Sequence, residues 1–163
     1  SMGVKYTIVG HSDNRIKQNE SNEIVNSKIK SLISSSITPI VCFGELSKES
    51  LNDTLSTLTV EINSMLSEIP AEYVDKIIFA YEPVWAINNP NIYIDCNYVD
   101  KIASYIKNYF EVTYGVRPSL LYGGSINLSN IDELNKIDSL DGFLIGGASA
   151  KVDVFNQILD KIS

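Results

Sequence analysis

The sequence predicts an α/β fold of parallel strands alternating with helices, and three observations carry that prediction. Five short apolar, β-branched runs, at residues 5–9, 39–43, 77–81, 120–122 and 143–145, recur along the chain. They are nearly continuous in hydrophobicity, as parallel strands covered on both faces are, whereas half-exposed strands alternate. Stretches with the apolar period of a helix separate them, so the order reads strand, helix, five times over. Right-handed crossovers then leave two architectures, an open doubly wound sheet or part of a (βα) barrel. No Gly-x-Gly-x-x-Gly fingerprint follows the first run, which weighs against the open sheet.

The first helical period is Val25, Ile29, Leu32 and Ile33; the second is Leu51, Leu55, Leu58, Ile62 and Met65. Val99, Ile102, Ile106 and Phe110 form the third. Two shorter ones follow, Leu128, Ile131 and Leu134, then Val154, Phe155, Ile158 and Ile162. The strand exits read Gly10-His11-Ser12-Asp13, Gly44-Glu45, Tyr81-Glu82-Pro83, Gly123-Gly124-Ser125 and Gly146-Gly147-Ala148-Ser149. Glycine and polar residues therefore gather at the carboxyl ends of the strands, where both architectures place their ligands. The unpatterned loop at residues 83–95 is the longest, which suggests a lid.

At 163 residues the chain suits one domain, taken as residues 4–163, with Ser1-Met2-Gly3 read as a cloning scar. No segment approaches the roughly 18 consecutive apolar residues of a membrane helix, and no basic-then-apolar signal opens the chain, so a cytoplasmic location is expected. A net charge of -7 with thirteen dispersed Lys and Arg argues against a nucleic-acid partner. Cys42 and Cys96 lack metal-ligand spacing and read as reduced thiols, and a single histidine argues against a transition-metal site.

Candidate chemistry sits at the exits. Glu82 ends the third run, and Pro83 must leave the strand because proline cannot donate to a ladder. A lone acid there is placed for proton transfer, although a surface acid in a loop would look the same. A histidine after a strand and a glycine is ordinarily a structural hydrogen-bonding residue. In a parallel sheet, however, His11 shares an end with Glu82, and a carboxylate base with an imidazole suits proton movement next to a carbonyl. A single Gly-Gly pair is ordinarily a tight turn. Two at successive exits, around Gly124-Ser125 and Gly146-Gly147, suit a phosphate held by backbone N–H groups. Cys42 and Glu45 read as support.

Five motifs then converge. Gly10-His11-Ser12, Cys42-Phe43-Gly44-Glu45, Ala80-Tyr81-Glu82-Pro83-Val84-Trp85-Ala86-Ile87, Tyr122-Gly123-Gly124-Ser125 and Gly146-Gly147-Ala148-Ser149 resemble the triosephosphate isomerase family, in its order and approximate spacing. The resemblance spans residues 4–163 and implies a TIM-barrel fold with about five parallel strands present. It implies a glycolytic and gluconeogenic activity, interconversion of dihydroxyacetone phosphate and D-glyceraldehyde 3-phosphate, with no cofactor or metal. It makes Glu82 the base that shuttles the proton and His11 the neutral electrophile; both roles are the family's own, carried over by resemblance. Pro83, Val84, Trp85, Ala86, Ile87 and Asn88 look like the phosphate-gripping lid. Ser125, Gly124, Gly146 and Gly147 would hold the phosphate, with Tyr122 and Ser125 latching the closed lid and Glu45 holding Trp85 in the open state.

Three departures from the family accompany the match. Asn88-Asn89-Pro90-Asn91 replaces a far hinge usually rich in Gly and Thr, and Asp13 stands for a longer acid. The chain also opens at the family's fourth strand, and a complete barrel needs about 250 residues. The expected consequence is weak or no activity alone, because the family's active-site asparagine and lysine belong to the front part. Loss of such an electrostatic stabiliser typically costs about a hundredfold or more in rate. Lys5 is expected at the opposite end of the sheet and does not substitute. Five strands leave edges and an apolar interior face open, so self-association or complementation by an N-terminal fragment is expected. The rival readings are a non-catalytic fragment or interaction module that retains phosphate binding, and another phosphate-binding (βα) barrel enzyme.

Overall fold

A computed structural model of the chain describes residues 3–87 and 92–163. The order is β1 (Tyr6–Val9), α1 (Ser12–Gln18), α2 (Asn22–Ser34), β2 (Thr38–Phe43), α3 (Leu51–Met65), α4 (Ala71–Val74) and β3 (Ile78–Tyr81). A 3-10 turn (Val84–Ala86), α5 (Cys96–Tyr114), β4 (Ser119–Tyr122), α6 (Ile131–Leu134), β5 (Gly142–Phe143), a second 3-10 turn (Gly147–Ala150) and α7 (Val152–Ile162) complete it. The five strands form one parallel sheet in sequence order, β1 to β5. The chain thus has the partial (βα) barrel architecture that its patterning predicts.

Local chemistry starts and stops the helices. Ser21 and Ser50 accept N–H bonds from Ile24 and Asp53 at the heads of α2 and α3. Asp95 accepts from Asn97 and Tyr98 at the head of α5, and Gly115, at φ 69°, ends that helix in the left-handed conformation that costs glycine little.

Register separates two faces of the sheet. Val9, Val41, Phe79 and Leu120 lie side by side, as do Phe43, Tyr81, Tyr122 and Phe143. All of these except Phe143 are at most 4% exposed, in one core with Val25, Ile29, Leu58, Ile62, Ile102, Ile106 and Phe110 from the helices. The alternating positions behave differently. Ile8 is 45% exposed, and its row neighbours Ile40 and Ile78, with Leu121, are only half buried. In the next row of that face Cys42 and Ala80 are fully buried, so the continuous apolar runs mark two faces, one covered throughout and the other only in part. Among the described residues, the outer edges of β1 and β5 have no strand partner.

Three features differ from the sequence expectation. Short helices α1 and α4 add to the strand-helix alternation. The last strand is Gly142–Phe143, two residues at an edge, where 143–145 was expected. The fifth helical period begins late, since Leu128 precedes α6 in a turn built by Asn127 and Asn130. Asn88, assigned to the lid by resemblance, and Ser1-Met2 at the proposed scar lie outside the described residues.

Candidate active site

The strand exits converge on one mouth. A cavity of about 660 Å³ is lined by His11, Asp13, Glu82, Ile87, Gly123, Gly124, Ser125, Asn127, Gly146, Gly147 and Lys151, among others. Parallel strands deliver residues far apart in sequence to the same end of the sheet, here from β1 and β3 to β5. Lys5, at the start of β1, lies at the other end.

His11 is the N-cap of α1, and its Nδ1 accepts the N–H of Asp13 at 3.2 Å. A ring nitrogen that accepts carries no proton, so the neutral imidazole holds its proton on Nε2. That atom lies 3.3 Å from Glu82 Oε1. The other carboxylate oxygen, Oε2, accepts the Ser12 N–H at 3.3 Å. Glu82 is 2% exposed, and burial raises its carboxyl above the ordinary carboxylate range. His11, the Ser12 N–H, the Cys42 thiol and Arg15 act against that rise. The Cys42 thiol is itself driven up, first by burial and then by the charge of Glu82.

Glycines make room for this carboxylate. A Cβ at Gly44 would sit 1.9 Å from the Glu82 carbonyl oxygen, and one at Gly123 would sit 2.9 Å from its Cγ. A Cβ at Gly124 would lie 2.3 Å from the Tyr122 hydroxyl. Gly146 and Gly147 differ: a Cβ at either would meet nothing within 4 Å. Protein packing requires glycine at the first three, while the last two border open cavity. Asn130 Nδ2 holds the Ser125 carbonyl at 2.8 Å, and Ser149 holds the Gly146 carbonyl through its N–H and hydroxyl.

The segment after Glu82 is tied to the β2 exit. Val84 N–H donates to the Glu45 carbonyl at 3.0 Å, and Pro83 leads into the 3-10 turn. Glu45 Oε1 accepts from Trp85 Nε1 at 2.7 Å and from the Tyr81 hydroxyl at 3.0 Å. Burial raises the Glu45 carboxyl, against the pull of those donors. On its other side Trp85 carries the Lys48 ammonium, 5.2 Å from the ring centroid. Two buried groups here have no partner among the described residues, Glu45 Oε2 and the Tyr122 hydroxyl.

The structure thus gathers His11, Glu82, Gly124, Ser125, Gly146 and Gly147 around one cavity, with Glu45, Tyr122 and Trp85 packed beside it. Sequence reasoning missed Lys151, Lys48 and the pair formed by Arg15 and Glu61. Lys151, at the head of α7, is a cation on the cavity wall beside the second glycine pair. Its signal was its position, four residues after Gly147. Among the described residues no cluster of three or more His, Cys, Asp or Glu stands ready to hold a metal ion, and no helix is long and apolar enough to cross a membrane.

Comparison with known proteins places these features in one family. The sequence pattern described as Triosephosphate isomerase matches residues 1–162. The chain is 37% identical over 164 residues to a protein named triosephosphate isomerase from Alkaliphilus oremlandii (strain OhILAs), covering 98% of this chain and 66% of that protein. It is 35% identical over 161 residues to a protein of that name from Endomicrobium trichonymphae (96% and 64%). For Cutibacterium acnes (strain DSM 16379 / KPA171202) the figures are 36% over 162 residues (97% and 62%). The chain spans under two thirds of the length of these curated relatives. With the motifs at five strand exits, the parallel sheet and a pattern match over nearly every residue agreeing, the chain belongs to the triosephosphate isomerase family.

Proposed function

We propose that Glu82 and His11 carry out the interconversion of dihydroxyacetone phosphate and D-glyceraldehyde 3-phosphate. The observation behind this reading is the 3.3 Å approach of His11 Nε2 to Glu82 Oε1 on a cavity that also contains Gly124, Ser125, Gly146 and Gly147. The Glu82 carboxylate removes a proton from the carbon next to the substrate carbonyl, and burial strengthens it as a base. Neutral His11 hydrogen-bonds through its Nε2–H to the oxygen on which negative charge develops, stabilising an enediolate. The hydroxyl proton passes from one substrate oxygen to the other by way of the His11 ring, and Glu82 returns the carbon proton to the neighbouring carbon. Ser12 N–H and His11 hold the carboxylate until substrate displaces it.

The phosphate rests on the N–H groups at Gly124, Ser125, Gly146 and Gly147, with Lys151 supplying positive charge. Pro83, Val84, Trp85, Ala86 and Ile87 belong to a lid that keeps water from the enediolate. Glu45 holds Trp85 in the open position, and the Tyr122 hydroxyl, which has no partner among the described residues, latches the closed one with Ser125.

The partly exposed row of Ile8, Ile40 and Ile78 favours a second element in this reading. Alone, the chain turns over weakly or not at all, and a second copy or a chain carrying the other three βα units covers the open face. A coupled isomerase assay on the chain, with and without a fragment carrying the remaining units of a relative, tests this. Turnover appearing in the mixture supports it; none in either, with Glu82 intact, sinks the catalytic role. The same open face favours the rival reading, a non-catalytic phosphate-binding module. Saturable phosphate binding that Ser125→Ala abolishes, with no turnover in the mixture, selects that rival.

A further inference from the structure

Beneath the catalytic pair lies a buried ion pair that the proposed chemistry does not use. We propose that Arg15 of α1 and Glu61 of α3 form a positioning pair that locks the exits of β1 and β2 together and so sets His11 against Glu82. The inference rests on the function proposed above for those two residues. Arg15 Nε donates to the Gly10 carbonyl at 2.7 Å, one residue before His11. Its Nη1 donates to Asn22 Oδ1 at 2.8 Å, and Nη2 reaches the Cys42 carbonyl at 3.4 Å and Glu61 Oε1 at 3.1 Å. Glu61 Oε2 in turn accepts the Gly44 N–H at 3.0 Å. Gly44 is the residue against which the Glu82 backbone packs, and Glu82 N–H bonds to the Phe43 carbonyl beside it at 2.8 Å.

One planar guanidinium therefore fixes the approach to His11, and its carboxylate partner fixes the support of Glu82. A lysine has no fork with which to hold four partners at once. The β1 exit needs such a clamp because Gly10, at φ 72°, turns so tightly that a Cβ there would meet the Cys42 carbonyl at 2.8 Å. Both side chains are largely buried, 16% and 13% exposed, so removing either strands a charge in the interior. The groups facing Glu61 are Arg15 from α1, Gly44 N–H and Glu45 at the β2 exit, and Glu82 at the β3 exit. Burial pushes the Glu61 carboxyl up to about 7, against Arg15 and the Gly44 N–H. Around neutrality the clamp therefore gains or loses a proton, and ionisation tightens it.

The test uses R15K, R15M and E61Q in the whole chain, with circular dichroism to exclude misfolded variants. Trp85 is the sole tryptophan, and through Glu45 its emission reports on the β2 exit. The wild-type emission is expected to show a step near the Glu61 value that E61Q lacks. His11 is the sole histidine, so its imidazole proton resonance at fixed pH is expected to shift in R15K. With the barrel complemented, kcat falls on the order of a hundredfold in R15M, the scale of an ångström's misplacement, and less in R15K. KM stays within about twofold of wild type, because Arg15 does not line the phosphate cavity. A Trp85 titration unchanged by E61Q, with an unmoved His11 resonance in R15K, overturns the proposal. If complemented wild type fails to turn over, the isomerase reading fails, and the two spectroscopic readouts still decide the clamp.

Discussion

The two faces of the sheet have similar hydrophobicity and are covered to different extents. On the helix-covered face Val9, Val41, Phe43, Phe79, Tyr81, Leu120 and Tyr122 lose nearly all contact with solvent; on the concave face Cys42 and Ala80 are buried, Ile40, Ile78 and Leu121 half buried, and Ile8 keeps 45% of its surface. Apolar side chains stabilise only where something displaces their water. Folding of this chain therefore draws most of its driving force from the helix-covered layer, while the concave row of Ile8, Ile40 and Ile78 keeps apolar surface in contact with water. The proposed site sits on the rim between the two. It takes rigid support from the packed layer and opens onto the partly covered one.

The largest effects should follow this division. Phe79 is fully buried, with its ring 4.5 Å from that of Phe110, so Phe79→Ala should cost about 3–5 kcal/mol in urea denaturation. A loss below about 1 kcal/mol would mean that the helix-covered layer does not carry the fold. Next comes the rim. Glu82→Gln should lower turnover of the complemented enzyme by about a hundredfold or more while leaving the fold intact. The same variant tests a cost in stability. The folded Glu82 carboxyl is raised above its unfolded value, so its contribution is most favourable at pH below the unfolded value and is lost as pH rises through the folded one. Glu82→Gln should therefore be more stable than wild type at mildly alkaline pH, with the gap closing in acid. Wild type gaining stability over the variant as pH rises would contradict the burial argument.

How much of this was readable in advance depended on whether one short window held the signal. The strands were legible because each falls in or beside a short apolar run, rich in β-branched and aromatic residues in β1 to β3, and long helices such as α3 and α5 because an apolar stripe repeats. Helix α1 was not, since its one large apolar residue, Ile16, points to solvent at 61% exposure; its anchors are the His11 cap and Arg15. The last strand slipped because its ladder has a partner on one side only, so hydrophobicity overstated its length. Glu82, His11 and the glycine pairs stood out as polar residues at strand ends, but the distance joining Glu82 to His11 spans 71 positions. Arg15 and Glu61 left a fainter trace. Glu61 falls three positions after Leu58 and four before Met65, on the buried stripe of α3, where a carboxylate requires a partner.

A smaller effect lies at the lid. Lys48 covers the face of Trp85 whose edge Glu45 holds, and Lys48→Met should red-shift and weaken Trp85 emission as the ring gains water. The expected loss is about 0.5–1 kcal/mol of local order, and Lys48→Arg should restore the signal. Unchanged emission in Lys48→Met would assign the ring's position to Glu45 alone.

The smallest effect on intrinsic stability is the sharpest test of the comparison itself. Ile8→Asn removes an apolar side chain from the concave row, where much of it already contacts water, so it should change the stability of the single chain by less than about 1 kcal/mol. Its consequence should instead appear in sedimentation equilibrium. If a second copy covers the concave face, Ile8→Asn shifts the equilibrium toward monomer; if complementing βα units cover it, the variant weakens rescue of activity by the fragment. A loss comparable to that of Phe79→Ala in a strictly monomeric sample would show that Ile8 is packed within its own chain. The distinction between a covered and a partly covered face would then fall.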